Sequence, residues 1–176
     1  NKSTTTCVSE LINDINHKFE WKHTTCACFL DLSKAYDHVW INGLLYKLWN
    51  FGVPFNEEFS INNVYINHPS RLLPPKFLRW VASYLRDRVC SIKYGKCYSD
   101  IFSPLCGIPQ GSVISPILFL LYTNDMKKWL TNPRANIVQY ADDITVWTSS
   151  KSSVLTRNMT QNSIEEIYSY CNRWRM

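Results

Sequence analysis

Apolar residues fall into short clusters divided by polar turns, and their period changes along the chain. Val8, Leu11, Ile12 and Ile15 recur at helical spacing behind Ser3 or Thr4. Either hydroxyl can cap a helix running from Thr5 to about Lys18. The run Thr24 to Leu30 is short and apolar and predicts a buried strand ending at Asp31. A second helix is predicted from Ser33 or Asp37 to about Asn50, with Val39, Leu44, Leu45 and Leu48 turned inward and Gly52 and Pro54 stopping it. Residues 55–75, FNEEFSINNVYINHPSRLLPP, hold no period and are rich in Asn and Pro, which reads as loop or partly disordered chain. A helix from Lys76 to about Arg86 follows, then two short strands, Val89–Tyr94 and Lys96–Phe102, about a turn at Gly95. Gly107-Ile-Pro-Gln-Gly111 is a turn by composition. Pro116 opens an apolar helix to about Leu130. Ile137 to Trp147 reads as a hairpin around Asp142-Asp143, and a helix from Ser153 to Trp174 closes the chain. Strands and helices mix without strict alternation, so the expected fold class is α+β rather than a doubly wound parallel sheet. No repeat or linker divides the 176 residues, which read as one domain, 1–176.

Composition narrows the picture only a little. Apolar residues make up 45% and charged residues 19%, which suits a packed core. The net charge of +5 permits an anionic partner without demanding one. Residues 71–96 carry seven basic side chains against one acid, Asp87. That segment is either a phosphate-contacting zone or a solvated helix face. Cys7, Cys26, Cys28, Cys90, Cys97, Cys106 and Cys171 form no framework, and reduced thiols in an intracellular protein are the expectation. His23, Cys26 and Cys28 come nearest to a metal spacing, but alternate positions of one strand are the better explanation of them. The first residues contain no apolar signal core, and the longest apolar run, Ile117 to Tyr122, is far short of the ~20 residues that span a bilayer. The protein is therefore expected in the nucleus or cytoplasm, neither secreted nor bound to a membrane. Beginning without Met, it reads as part of a longer chain.

The acids are the informative residues. Asp31 ends one apolar strand, and Asp142 and Asp143 adjoin in the bend of an apolar hairpin. Ionised carboxylates in apolar surroundings, two of them neighbours, call for compensation, and a divalent cation is the simplest. Oxygen ligands without nearby His or Cys select Mg²⁺ or Mn²⁺ over zinc. Two such ions about 4 Å apart clamp the oxygens of an in-line phosphoryl displacement. A surface hairpin whose Asp-Asp merely favours the turn explains the dipeptide alone better, and the dipeptide together with Asp31 equally well.

Three blocks, Phe29-Leu-Asp-Leu-Ser-Lys-Ala-Tyr-Asp-His-Val-Trp40, Gly107-Ile-Pro-Gln-Gly-Ser-Val-Ile-Ser-Pro-Ile-Leu-Phe119 and Tyr140-Ala-Asp-Asp143, together resemble the reverse transcriptases of non-LTR (LINE-type, jockey-like) retrotransposons. They stand in that family's order and at roughly its spacing, and the resemblance covers nearly the whole chain except 55–75. It implies a right-hand polymerase palm, an antiparallel sheet with helices packed on one face, with part of the fingers and no thumb. The implied activity is RNA-directed DNA polymerisation with an RNA template, a DNA primer and dNTPs, within the remainder of a retrotransposon polyprotein. Asp31, Asp142 and Asp143 match the catalytic, metal-binding aspartates, and the Leu32 carbonyl would be a further ligand of two Mg²⁺ ions, with Mn²⁺ a substitute. Tyr36 matches the steric gate against a ribose 2′-OH; taken alone it reads as an ordinary core tyrosine. Gln110 matches the glutamine near the incoming nucleotide. Tyr140 matches the residue packed near the primer end, or is simply a half-buried hairpin tyrosine. Gly111 and Ser112 would support the template side. Lys34 and Asp37 read as a helix cap or a local ion pair.

The resemblance also implies what departs from the pattern. Basic finger residues are expected upstream of Asn1, and the lysine-bearing fourth motif, primer grip and thumb beyond Met176. Residues 55–75 look inserted, since joining Pro54 to Pro75 gives the family-like FGVPPKFLRW. The chain alone is expected to extend primers little or not at all and to be poorly soluble. Two other functions compete: a decayed or repurposed polymerase-like domain that binds RNA or protein without catalysis, and a two-metal nuclease, which Gln110 and Tyr36 in their blocks argue against.

Overall fold

The computed structural model describes residues 4–51 and 73–176. The expected insertion thus lies, up to residue 72, outside the described residues. The elements in chain order are α1 (Thr4–Glu20), β1 (Thr24–Asp31), α2 (Ile41–Trp49), α3 (Pro75–Leu85), β2 (Lys93–Tyr94), β3 (Cys97–Tyr98), α4 (Ser115–Thr123), α5 (Met126–Trp129), β4 (Asn136–Tyr140), β5 (Asp143–Ser150) and α6 (Ser153–Arg173). The chain divides into two compact units, one built from its two ends (Asn1–Ala35 and Thr123–Met176), the other from Tyr36–Tyr122.

In the first unit a fully antiparallel sheet has the order β1-β5-β4. β5 is central and is buried from Ile144 to Ser150 apart from half-buried Thr145, with Ile144, Val146 and Trp147 apolar and Thr148, Ser149 and Ser150 carrying hydroxyls. Side chains alternate across the sheet. One face carries Cys26, Val146, Thr148 and Ser150, and α6 packs there. Its attachment is partly polar: Thr148 and Thr160 share a 2.8 Å hydroxyl bond, and Thr156 and Ser150 share one of 2.7 Å. Ser152 caps α6, its hydroxyl accepting from the Leu155 amide. The opposite face carries Trp147, whose indole Nε1 donates to Asp14 of α1 at 2.8 Å. α1 buries Cys7 and Leu11 against this side, whereas Val8 and Ile12, expected inward, are about half exposed. β1 is less buried than the sequence suggests. It is an edge strand, and Phe29 is 73% exposed. The helix expected from Pro116 to Leu130 is two helices. It breaks at Asn124-Asp125, where the Tyr170 hydroxyl donates to the Asp125 carboxylate at 2.6 Å.

In the second unit, α2 and α3 pack Leu44, Leu45 and Leu48 with Leu78, Val81 and Leu85. Buried Lys47 is satisfied by donating to the Tyr122 carbonyl at 2.6 Å. The two strands after α3 are far shorter than expected: a two-residue ribbon closed by Gly95-Lys96, plus one bridge between Cys90 and Phe102. The helix expected to begin at Ser33 or Asp37 begins at Ile41. Residues 33–38 are turns, and Lys34 takes a left-handed φ of 52°.

Candidate functional site

The first unit assembles the acids from two elements. Asp31, the last residue of β1, lies directly opposite Asp143, the first of β5. Asp143 in turn faces Tyr140, the last of β4. Residues so paired stand about 4.5–5.5 Å apart at Cα and aim their side chains to one face. Asp31, Asp143 and Tyr140 therefore share the α1 side at one end of the sheet. Asp142 sits in the two-residue bend beside them. The bend turns at Ala141, whose φ of 52° is unusual for a residue with a Cβ. The Gln139 amide braces it by donating to the Ala141 carbonyl at 2.7 Å.

The sequence argument set these acids in apolar surroundings. The structure corrects it: Asp31 and Asp143 are exposed and Asp142 is half-buried. Repulsion between facing carboxylates, about 1 kcal/mol for unit charges at 4 Å in water, is what a bound cation would relieve. Among the described residues no three His, Cys, Asp or Glu side chains are drawn together tightly enough to encage an ion unaided. Mg²⁺ does not require that. It keeps several waters and takes one or two carboxylates together with substrate phosphates. An exposed, all-oxygen donor set fits such an ion, and His23, Cys26 and Cys28 do not form a competing centre. The Leu32 carbonyl accepts from the Ala35 amide at 3.2 Å, which leaves one lone pair outward. A cavity of about 300 Å³ opens beside the acids, walled by Cys7 and Leu11 of α1 and by Phe29, Val138, Tyr140 and Thr145 of the sheet.

The second unit holds the other residues singled out in the sequence. Tyr36 stacks on Phe119 with ring centroids 5.1 Å apart. Its carbonyl accepts from the Ile108 amide, and the Val39 carbonyl from the Gly107 amide, each at 2.8 Å. This clasp ties residues 36–39 to the Gly107–Gly111 turn. Gly107 is required in it: its φ is 86°, and a Cβ would come within 2.7 Å of the Asp37 carbonyl oxygen. Arg88 locks the turn by donating to the Gly107 carbonyl at 2.6 Å. Gln110 is exposed, and its amide donates to the Asp37 carboxylate at 2.8 Å. Asp37 is thus neither a cap nor an ion-pair partner of Lys34 but the residue that orients Gln110. That role could not be read from local sequence, because the two lie 73 positions apart. Gly111 takes a φ of 79°, and Ser112 accepts from the Tyr84 hydroxyl at 2.7 Å. The links through Arg88, counted in the sequence only among the basic residues of 71–96, and through Tyr84 leave no local pattern either.

Comparison with known proteins places these observations in a lineage. The sequence pattern of the family described as reverse transcriptase (RNA-dependent DNA polymerase) matches residues 2–176. An RNA-directed DNA polymerase from mobile element jockey of Drosophila funebris is 28% identical over 171 residues, covering 94% of this chain and 16% of that protein. A probable RNA-directed DNA polymerase from transposon BS of Drosophila melanogaster is 28% identical over 177 residues, covering 98% and 17%. The chain spans about a sixth of the length of these relatives. Among solved structures, apo telomerase from Candida tropicalis, truncated from its C-terminal domain, superimposes with a TM-score of 0.63 at 20% identity over 94% of this chain and 32% of that one. That likeness is one of fold.

Proposed function

Because the chain belongs to the reverse transcriptase (RNA-dependent DNA polymerase) family, we propose that it forms the palm, with part of the fingers, of a non-LTR retrotransposon polymerase that copies an RNA template by adding dNTPs to a DNA primer. The observation that carries this reading is the register that sets Asp31 opposite Asp143 with Asp142 in the adjoining bend. In the proposal these three carboxylates and the Leu32 carbonyl hold two Mg²⁺ ions, or Mn²⁺ in their place. When bound, such ions lower the pKa of the primer 3′-OH and stabilise the departing pyrophosphate. The nucleophile belongs to the primer, so the chain needs no activated Ser, Cys or His.

The remaining roles fall to positioning. Tyr36, held by Phe119, presents a ring beneath the sugar that excludes a 2′-OH. Gln110, oriented by Asp37, contacts the incoming nucleotide. Tyr140, beside Asp143, packs at the primer end. Gly111 and Ser112 keep the turn small and fixed on the template side. The rest of the polyprotein supplies the other surfaces, and the work is intracellular, in nucleus or cytoplasm.

Primer extension on an RNA template with Mg²⁺ and dNTPs, using the full-length protein that carries this chain, tests the reading. Extension should vanish in Asp142→Asn. Template binding without extension in the unsubstituted protein would point to a non-catalytic domain, and template degradation to a nuclease.

A further inference from the structure

Helix α3 turns two different faces outward and inward. Leu78, Val81 and Leu85 are buried at i, i+3 and i+7, whereas Phe77, Trp80 and Tyr84, at the same spacing, form a second stripe beside them. Its rings are in contact in series: Phe77 and Trp80 have centroids 6.1 Å apart, and Trp80 and Tyr84 lie stacked at 5.9 Å with planes 16° apart. Trp80 is 51% exposed. Lys76 and Arg79 are exposed on the solvent side of the stripe. In the same unit the β2–β3 ribbon lifts Tyr94 and Tyr98 into solvent, 88% and 65% exposed, with the Lys93 ammonium 5.5 Å from the Tyr98 ring. Across residues 73–106 there are six basic side chains and two acids.

A solvated helix face gains nothing from a row of aromatic rings, and the basic side chains beside these rings favour an anionic occupant. Exposed rings interleaved with cations are what single-stranded nucleic acid needs, since the bases stack on the rings and the phosphates meet the cations. We propose that the Phe77–Trp80–Tyr84 stripe of α3, with Lys76 and Arg79, is a stacking platform for single-stranded RNA, and that the Lys93–Tyr98 ribbon contacts the same kind of strand. The Tyr84 hydroxyl, bonded to Ser112, joins this platform to the Gly107–Gly111 turn. The inference rests on the proposed function for the identity of the strand as template, but not for the binding chemistry.

The test is anisotropy of a labelled 15-nucleotide single-stranded RNA and of the same sequence as duplex, titrated with the full-length protein that carries this chain over a range of salt. Stacking contributes about 1–3 kcal/mol per base, so Trp80→Ala should weaken single-strand binding about 5- to 150-fold. Trp80→Phe, which keeps a ring, should bind within a few-fold of the unsubstituted chain. Lys76→Ala, at an exposed position, should reduce the slope of log K against log salt by about 0.7, and it tests the same face should a Trp80 variant fail to fold. Equal binding and equal slope in all three variants would overturn the proposal and leave the face to a protein partner. A preference for duplex would overturn it as well. The outcome is separable from that of the polymerase reading. Asp142→Asn should leave RNA binding intact, so Trp80-dependent binding without extension sinks only the polymerase, and extension with Trp80-independent binding sinks only the platform.

Discussion

Asp31 and Asp143 face each other as like charges across a sheet edge, and opposite like charges destabilise a strand pair. Asp31→Asn is therefore expected to stabilise the metal-free chain by about 0.2–1 kcal/mol, read as a rise in the urea midpoint, while removing any extension activity. Added Mg²⁺ should raise the Tm of the unsubstituted chain more than that of the variant. Equal shifts would show that these acids do not bind the ion. Gly107 gives a second expectation at the same scale. Any side chain there meets the Asp37 carbonyl and a left-handed φ, so Gly107→Ala should cost about 1–3 kcal/mol, measurable by denaturant melting. That Asp31 ends a strand and that Asp142 and Asp143 stand at a hairpin bend was legible in the sequence. What Gln110 is tied to was not, because a hydrogen bond to Asp37 follows from tertiary pairing of two loops and leaves no local pattern.

Secondary structure was legible wherever the period was strong. α1, α3 and α6 lie within about two residues of their expected ends, as long amphipathic segments should. The failures have physical causes. Lys34 and Ala35 favour helix locally, but the backbone of 36–39 is drawn into hydrogen bonds with 107 and 108, and α2 waits until Ile41. The break between α4 and α5 had a weak signal in Asn124-Asp125, both poor helix formers. The hydroxyls joining α6 to the sheet invite a test at this scale. Thr160→Val removes one partner of Thr148, which keeps a 3.0 Å bond to the Thr156 carbonyl, so the cost should be about 1 kcal/mol. Thr148→Val combined with Thr160→Val should cost less than the sum of the two single changes, because no buried hydroxyl is then left facing a methyl group. Additive losses in urea melts would show that the two hydroxyls are not coupled.

For the whole molecule, the α+β class and the antiparallel sheet follow from element order, but the degree of exposure does not. Phe29, Val89, Ile101, Leu105 and Val113 are between 66% and 97% exposed. Apolar side chains left this exposed can be buried against one another between chains. The isolated chain is therefore expected to self-associate at micromolar concentration, visible as a concentration-dependent sedimentation coefficient. A sharp monomer boundary across a hundredfold range of concentration would count against it. No described helix is long and apolar enough to cross a membrane.

The pairing of β1 with β5 has an evolutionary consequence. Side chains on a strand alternate between faces, so sliding the alignment by one position inverts all of them. Deleting any one residue between Thr25 and Phe29 would turn Asp31 toward α6 or pull it away from Asp143. The exposed Phe29 can drift, but the length of the stretch cannot. Among diverging copies, β1 should accept exchanges at its exposed positions other than Asp31 and indels almost never.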